Sequence, residues 1–133
     1  MIEAVLDANV FVSASIRSKN CREIIDFLFA DRFNIVTSER LLGEIAFILS
    51  KNKFNLAPAD VKSLVKFLSN YARFVTPVTI ISDCRDPKDN ALLECALTAK
   101  ADCIVTGDND LLCLNPYHGI RILPPDAFIR LLK

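Results

Sequence analysis

At 133 residues, with 52% hydrophobic and 24% charged residues, the chain matches the length and apolar content of one folded domain and falls outside the disordered class. Sixteen basic residues balance sixteen acidic ones, which excludes a strongly basic nucleic-acid binder but leaves room for a local basic patch.

Ile2 to Leu6, apolar except for Glu3, reads as a buried strand that runs into Asp7. Val10 to Ile16 follows as a first helix or turn. Asn20 is a suitable cap for a helix over Cys21 to Ala30, with Ile24, Ile25, Leu28 and Phe29 at helical spacing. Phe33 to Thr37 is a second strand, and Ser38 caps a helix over Glu39 to Lys51 whose apolar stripe is Leu41, Ile45, Ile48 and Leu49. Ala57-Pro58 opens another helix to Asn70. Phe74-Val75 and Val78 to Ile81 flank Pro77 as one interrupted strand or edge segment. Asp86-Pro87 starts a helix to about Ala99, Asp102 to Thr106 is a strand, and Asn109 to Leu114 a short helical turn. Ile120 to Leu123 is the last strand, and Pro124-Pro125 opens a helix through Leu132.

Strands alternating with helices of about ten residues or more predict βαβ crossovers. The expected fold is therefore α/β: one domain over residues 1–133, three layers α/β/α, with a central parallel sheet of four to five strands.

No apolar run approaches the roughly 18–20 residues of a bilayer span, and the acid at position 3 without a basic segment predicts no secretory signal. The five cysteines are odd in number and contain no Cys-x-x-Cys, and four sit in apolar surroundings. Free thiols in a reducing cytoplasm explain them better than disulfides or zinc. A cytoplasmic protein with no membrane partner is expected.

Acids placed just past apolar strands carry the functional reading, because ligands of an open parallel sheet bind outside its carboxyl edge. Asp7 follows the first strand directly, although an Asx turn would also use it. Glu44 borders the apolar stripe of its helix, where a carboxylate is costly unless paired, protonated or metal-bound; Arg40, one turn back, is the competing partner. Asp86 reads mainly as a helix cap, and Asp89 as a site residue in the first turn. In Thr106-Gly107-Asp108-Asn109-Asp110 a strand ends and two acids follow; one could cap the next turn, with Asp108 the better metal ligand and Asp110 a second one. Carboxylates from distant segments meeting at one edge repel unless a hard divalent cation holds them. A single histidine, His118, leaves no histidine-rich zinc site or Ser-His-Asp triad, and three glycines build no phosphate-binding loop.

Val5-Leu6-Asp7-Ala8-Asn9-Val10, Glu44, Asp86-Pro87-Lys88-Asp89-Asn90-Ala91-Leu92-Leu93-Glu94 and Ile104-Val105-Thr106-Gly107-Asp108-Asn109-Asp110-Leu111 together resemble a PIN-domain ribonuclease over nearly the whole chain. The likeness is greatest to the toxin components of toxin–antitoxin systems (VapC-like ribonucleases). It implies an endoribonuclease for single-stranded RNA that depends on Mg²⁺ or Mn²⁺, with Asp7, Glu44, Asp89 and Asp108 as catalytic acids. The metal ligands it implies are Asp7, Asp89, Asp108 and Asp110, with Asn9 and Thr106 as small polar site-lining residues. It further implies a homodimer and an antitoxin partner. Since the acids repel phosphate, basic residues should rim the site: Arg17, Arg40, Arg85 and Lys88 above all, with Lys19, Arg22, Lys51 and Lys53 as further candidates.

Two other classes compete. A phosphoacceptor signalling domain also gathers acids at a sheet edge, but the last strand leads into Pro124-Pro125 with no Lys. A non-catalytic PIN-like RNA-binding or assembly module would keep the fold and lose turnover.

Overall fold

The structure is a computed structural model that describes residues 1–16, 18–51 and 55–133. The elements run β1 (Glu3–Leu6), α1 (Ala8–Ile16), α2 (Lys19–Phe29), β2 (Asn34–Thr37), α3 (Glu39–Leu49) and α4 (Pro58–Tyr71). They continue through β3 (Arg73–Phe74), α5 (Pro87–Ala99), β4 (Cys103–Val105), α6 (Asn109–Leu112) and β5 (Arg121–Leu123) to α7 (Pro125–Leu132). All five strands join one parallel sheet in the order β3-β2-β1-β4-β5. The expected α/β class and its strand count both hold.

Pleating sends successive strand residues to opposite faces, so each buried strand feeds two cores. Ala4, Leu6, Ile35, Cys103 and Val105 face one core, closed by residues of α1, α2, α3, α4 and α7. Val5, Val36, Ile104 and Ile122 face the other, closed by α5, Leu41 and Leu111. The sheet is thus covered on both sides, which is why its strands are apolar without alternation. In the first core Phe33 and Phe128, neither with any exposed surface, meet edge to face with ring centroids 5.0 Å apart.

Capping fixes where the helices start. Ser38 Oγ accepts from the Leu41 N–H at 3.2 Å, as expected from sequence. In a melting experiment Ser38→Ala should cost about 1 kcal/mol, the usual loss for a capping serine. The cap of α2 is Ser18 rather than Asn20: its Oγ accepts from the Cys21 N–H at 3.1 Å. That register buries Cys21, Ile24 and Leu28 on one face.

Of the segment expected as an interrupted strand, Phe74-Val75 and Val78 to Ile81, only the start joins the sheet: β3 covers Arg73–Phe74 beside β2, and the Val75 N–H donates to Thr37 O at 3.0 Å. Pro77 offers no N–H to a ladder, and Val78 and Ile80 are 87% and 91% exposed. Among the described residues, no helix is long and apolar enough to cross a membrane.

Chain direction positions the site. From β1 the strands step outward through β2 to β3, and the chain then returns to lay β4 against the other side of β1. Strand order therefore reverses between β1 and β4, and crevices for ligands open at the carboxyl ends of strands at such a reversal.

Candidate active site

Four segments converge on that reversal. Asp7 continues β1 by one residue, its N–H donating to Val105 O at 3.0 Å. Asp108 follows β4, Asp86 and Asp89 begin α5, and Glu44 lies one turn into α3. Asp7, Asn9, Glu44, Asp86, Lys88, Asp89 and Asp108, together with apolar Leu6, Leu41, Ile48 and Leu92, line a cleft of about 200 Å³. Segments over 100 residues apart in sequence thus bring four of the expected acids, Asp7, Glu44, Asp89 and Asp108, to one opening.

The carboxylates are held from behind. Asp7 is only 8% exposed, yet both its oxygens are satisfied: one accepts the Asn9 N–H at 3.1 Å and the other the Thr106 hydroxyl at 2.8 Å. Thr106 Oγ1 in turn accepts the Asp108 N–H at 3.0 Å. Thr106, expected to line the site, is fully buried and instead links the backs of Asp7 and Asp108. Asn9 sits in the lining as expected and fixes Asp7 through its backbone.

Asp89, Asp108 and Asp110 each place a carboxylate oxygen within 4.8 Å of the others. Asp108 does double duty: one oxygen caps α6 by accepting the Asp110 N–H at 2.9 Å. Asp7 lines the same cleft but stands outside that triad, and Asp110 is the triad's exposed member, beyond the cleft lining.

Crowded charge raises proton affinity. Burial pushes the Asp89 carboxyl up to about 7, and Asp108, Asp86 and Asp7 push the same way. Burial also raises Asp7, against the pull of its hydrogen bonds from Asn9 and Thr106 and with help from Asp108 and Asp86. For Glu44 burial again raises the value, opposed by Arg40 and Lys88. These groups bear a strained negative charge that a cation would relieve. With only carboxylate oxygens on offer and no histidine or cysteine in the cluster, the donors fit a hard divalent ion better than zinc.

Asp86 is more than the cap it was expected to be. Its Oδ1 does accept the Lys88 N–H at 3.0 Å, but it also lines the cleft and opposes ionisation of Asp7, Glu44 and Asp89. A cap that faces strand ends and a cap that faces solvent share one sequence pattern, which is why the second role was invisible.

Of the basic residues expected at the rim, Arg40, Lys88 and Arg85 lie in or beside the cleft among the described residues. Arg40 Nε lies 3.8 Å from Glu44 Oε1, and its Nη2 donates to Pro87 O at 3.4 Å. Lys88 lines the cleft, and Arg85 Nη2 is 4.0 Å from Asp110 Oδ2. Lys19 and Arg22 line a separate groove of about 580 Å³ between α1, α2 and α4. Lys51 sits over the Phe47 ring at 5.2 Å. Arg17 and Lys53 lie outside the described residues.

Sequence reasoning quoted Asn90 and Glu94 within a motif but gave them no role; both bond the segment before α5. Asn90 accepts from Cys84 N and donates to Cys84 O, at 2.8 and 2.9 Å, and Glu94 Oε2 accepts the Ile81 N–H at 2.9 Å. Their spacing of four on one helix face was the available signal.

Solved structures with the same fold include PAE2754 from Pyrobaculum aerophilum, at a TM-score of 0.65 and 15% identity, covering 98% of this chain and 89% of that one. Another is VapBC2 from Rickettsia felis bound to a DNA fragment from their promoter, at a TM-score of 0.60 and 14% identity, covering 92% of this chain and 98% of that one. Among curated proteins none matches the sequence. The family profile described as PIN domain matches residues 3–110, a span that includes all the acids of the cleft. The chain belongs to the PIN domain family.

Proposed function

We propose that the protein is a metal-dependent endoribonuclease acting on single-stranded RNA, and that it is the toxin component of a toxin–antitoxin pair. The observation that carries the nuclease reading is the gathering of Asp7, Glu44, Asp86, Asp89 and Asp108 around one cleft at the strand reversal of a PIN-domain sheet. Support for the toxin role comes from the fold shared with VapBC2 from Rickettsia felis, a complex bound to a DNA fragment from their promoter. On this reading the chain has an antitoxin partner and forms a homodimer.

Asp7, Asp89 and Asp108, with Asp110 at the rim, would hold Mg²⁺ or Mn²⁺. Such an ion supplies Lewis acidity, polarising a phosphodiester and lowering the pKa of a water. The chain's own groups do the rest. Asp7 is locked by Asn9 and Thr106, so the carboxylates need little rearrangement. Glu44, whose burial raises its proton affinity, stands across the cleft as the group to accept or deliver a proton. Arg40, Lys88 and Arg85 offset the repulsion between the acids and the incoming phosphates.

The test is cleavage of a mixed-sequence single-stranded RNA. Cutting should require Mg²⁺ or Mn²⁺, stop with EDTA, and return when the cation is restored in excess. Cleavage that persists in EDTA removes the metal site from the mechanism, and an RNA left intact under every cation leaves a PIN-fold binding module in its place.

A further inference from the structure

The loop Ser82–Asp86 makes no ladder with the sheet, yet its backbone and Asp83 are tied down at separate points. Glu94 takes the Ile81 N–H just before it, and Asn90 grips both the N–H and the carbonyl of Cys84. The Tyr117 hydroxyl bonds Asp83 Oδ2. Tyr117 is itself fixed, because it and Ile120 exchange backbone hydrogen bonds of 2.8 and 2.9 Å across a tight turn closed by Gly119 at φ +83°. Asn115 Oδ1 ties the same turn to β5 by accepting the Ile122 N–H at 2.8 Å.

At the tip of this anchored loop stands Arg85, whose side chain is 93% exposed. Its only ion-pair partner among the described residues is Asp110 at 4.0 Å, a distance too long for a hydrogen bond. Asp110 belongs to the carboxylate triad that a cation would occupy. An arginine next to the anchored Cys84, with an exposed head only loosely paired to a carboxylate that metal would neutralise, is ready to change partners.

We propose that Arg85 is a phosphate ligand for RNA entering the cleft, releasing Asp110 to grip a phosphate oxygen, and that Asn90 and Tyr117 are positioning residues that hold it in place. This rests on the nuclease reading above. The planar guanidinium offers paired donors to phosphate, and the backbone entropy of placing it is already spent when the loop is tied.

The experiment is a double-mutant cycle on affinity for a fluorescent single-stranded RNA, read by anisotropy with Mg²⁺ in an Asp7→Asn background so that cleavage does not consume the probe. Arg85→Ala should weaken binding about tenfold and flatten the salt dependence by about one phosphate contact. Tyr117→Phe, which keeps the ring and loses the hydroxyl, should weaken it about threefold, and the double variant should match Arg85→Ala within about twofold, since coupled residues are not additive. Asn90→Ala repeats the cycle from the other anchor, with melting curves confirming that each variant folds. A Tyr117→Phe effect of equal size with and without Arg85 would reduce the anchors to plain structure and overturn the proposal, as would an Arg85→Ala protein that binds normally. Parallel cleavage assays without the Asp7 change separate the two claims. Cleavage without coupling leaves the nuclease and removes the clamp; coupling without cleavage does the reverse; RNA that does not bind removes both.

Discussion

Asp7→Asn should leave the protein folded and reduce RNA cleavage on the order of a thousandfold, the several kcal/mol of metal-assisted stabilisation converted at 1.36 kcal/mol per tenfold. Asparagine keeps the shape and an oxygen for the Asn9 N–H, but it loses the charge at the centre of the cleft. The loss should appear in kcat more than in KM, because Asp7 is buried behind the opening and the proposed RNA contacts are Arg40, Lys88 and Arg85 instead. Single-turnover cleavage with circular dichroism as a folding control measures both. A well-folded Asp7→Asn enzyme within tenfold of wild type would move the chemistry elsewhere.

The opposite effect is expected on stability. Asp89 keeps its proton to about pH 7 in the folded chain but loses it near 3.8 in the unfolded one. Between those values the folded state binds the extra proton, so the metal-free protein loses stability as pH rises from about 4 to about 7. Asp89→Asn removes that penalty and lets the amide donate to Asp108. It should raise the metal-free Tm at pH 8 by about 3–6 °C for each kcal/mol recovered, with about 1 kcal/mol expected from relieving a strained active-site charge. In wild type the divalent ion should do the same work, worth about 2.7 kcal/mol at a hundred times its Kd. Calorimetric melts at pH 5.5 and 8, in EDTA and in Mg²⁺, decide it. An Asp89→Asn protein less stable than wild type at pH 8 without metal would show that the acids are not in conflict. One group can thus oppose the fold and serve the site.

The fold was legible because the buried strands are apolar on both faces, and a strand so written belongs to a sheet with two covers. Asp7, Asp89 and Asp108 were legible for a topological reason: residues just past such strands, and at the start of the helix returning to them, share one edge. Failures came where several residues could serve one local purpose. Ser18 and Asn20 can both cap, and only the burial of Cys21, Ile24 and Leu28 selects the first. Val78 to Ile81 has strand composition, but β3 occupies an edge for only two residues, and no ladder reaches the segment beyond Pro77. The anchors of the Arg85 loop pair non-periodic segments, such as Tyr117 with Asp83, so no spacing rule announces them.

The hydrogen bond from Thr106 to Asp7 spans 99 residues of sequence. Asp7 meets Thr106, and through it Asp108, only once β4 has docked against β1. Pairings of such long range are the slow steps of folding. A partly folded chain therefore holds the acids apart, and the cleft is completed only when the centre of the sheet closes. Under the nuclease reading, no fragment that lacks β4 would carry a complete site, and cutting would be a property of the closed fold alone.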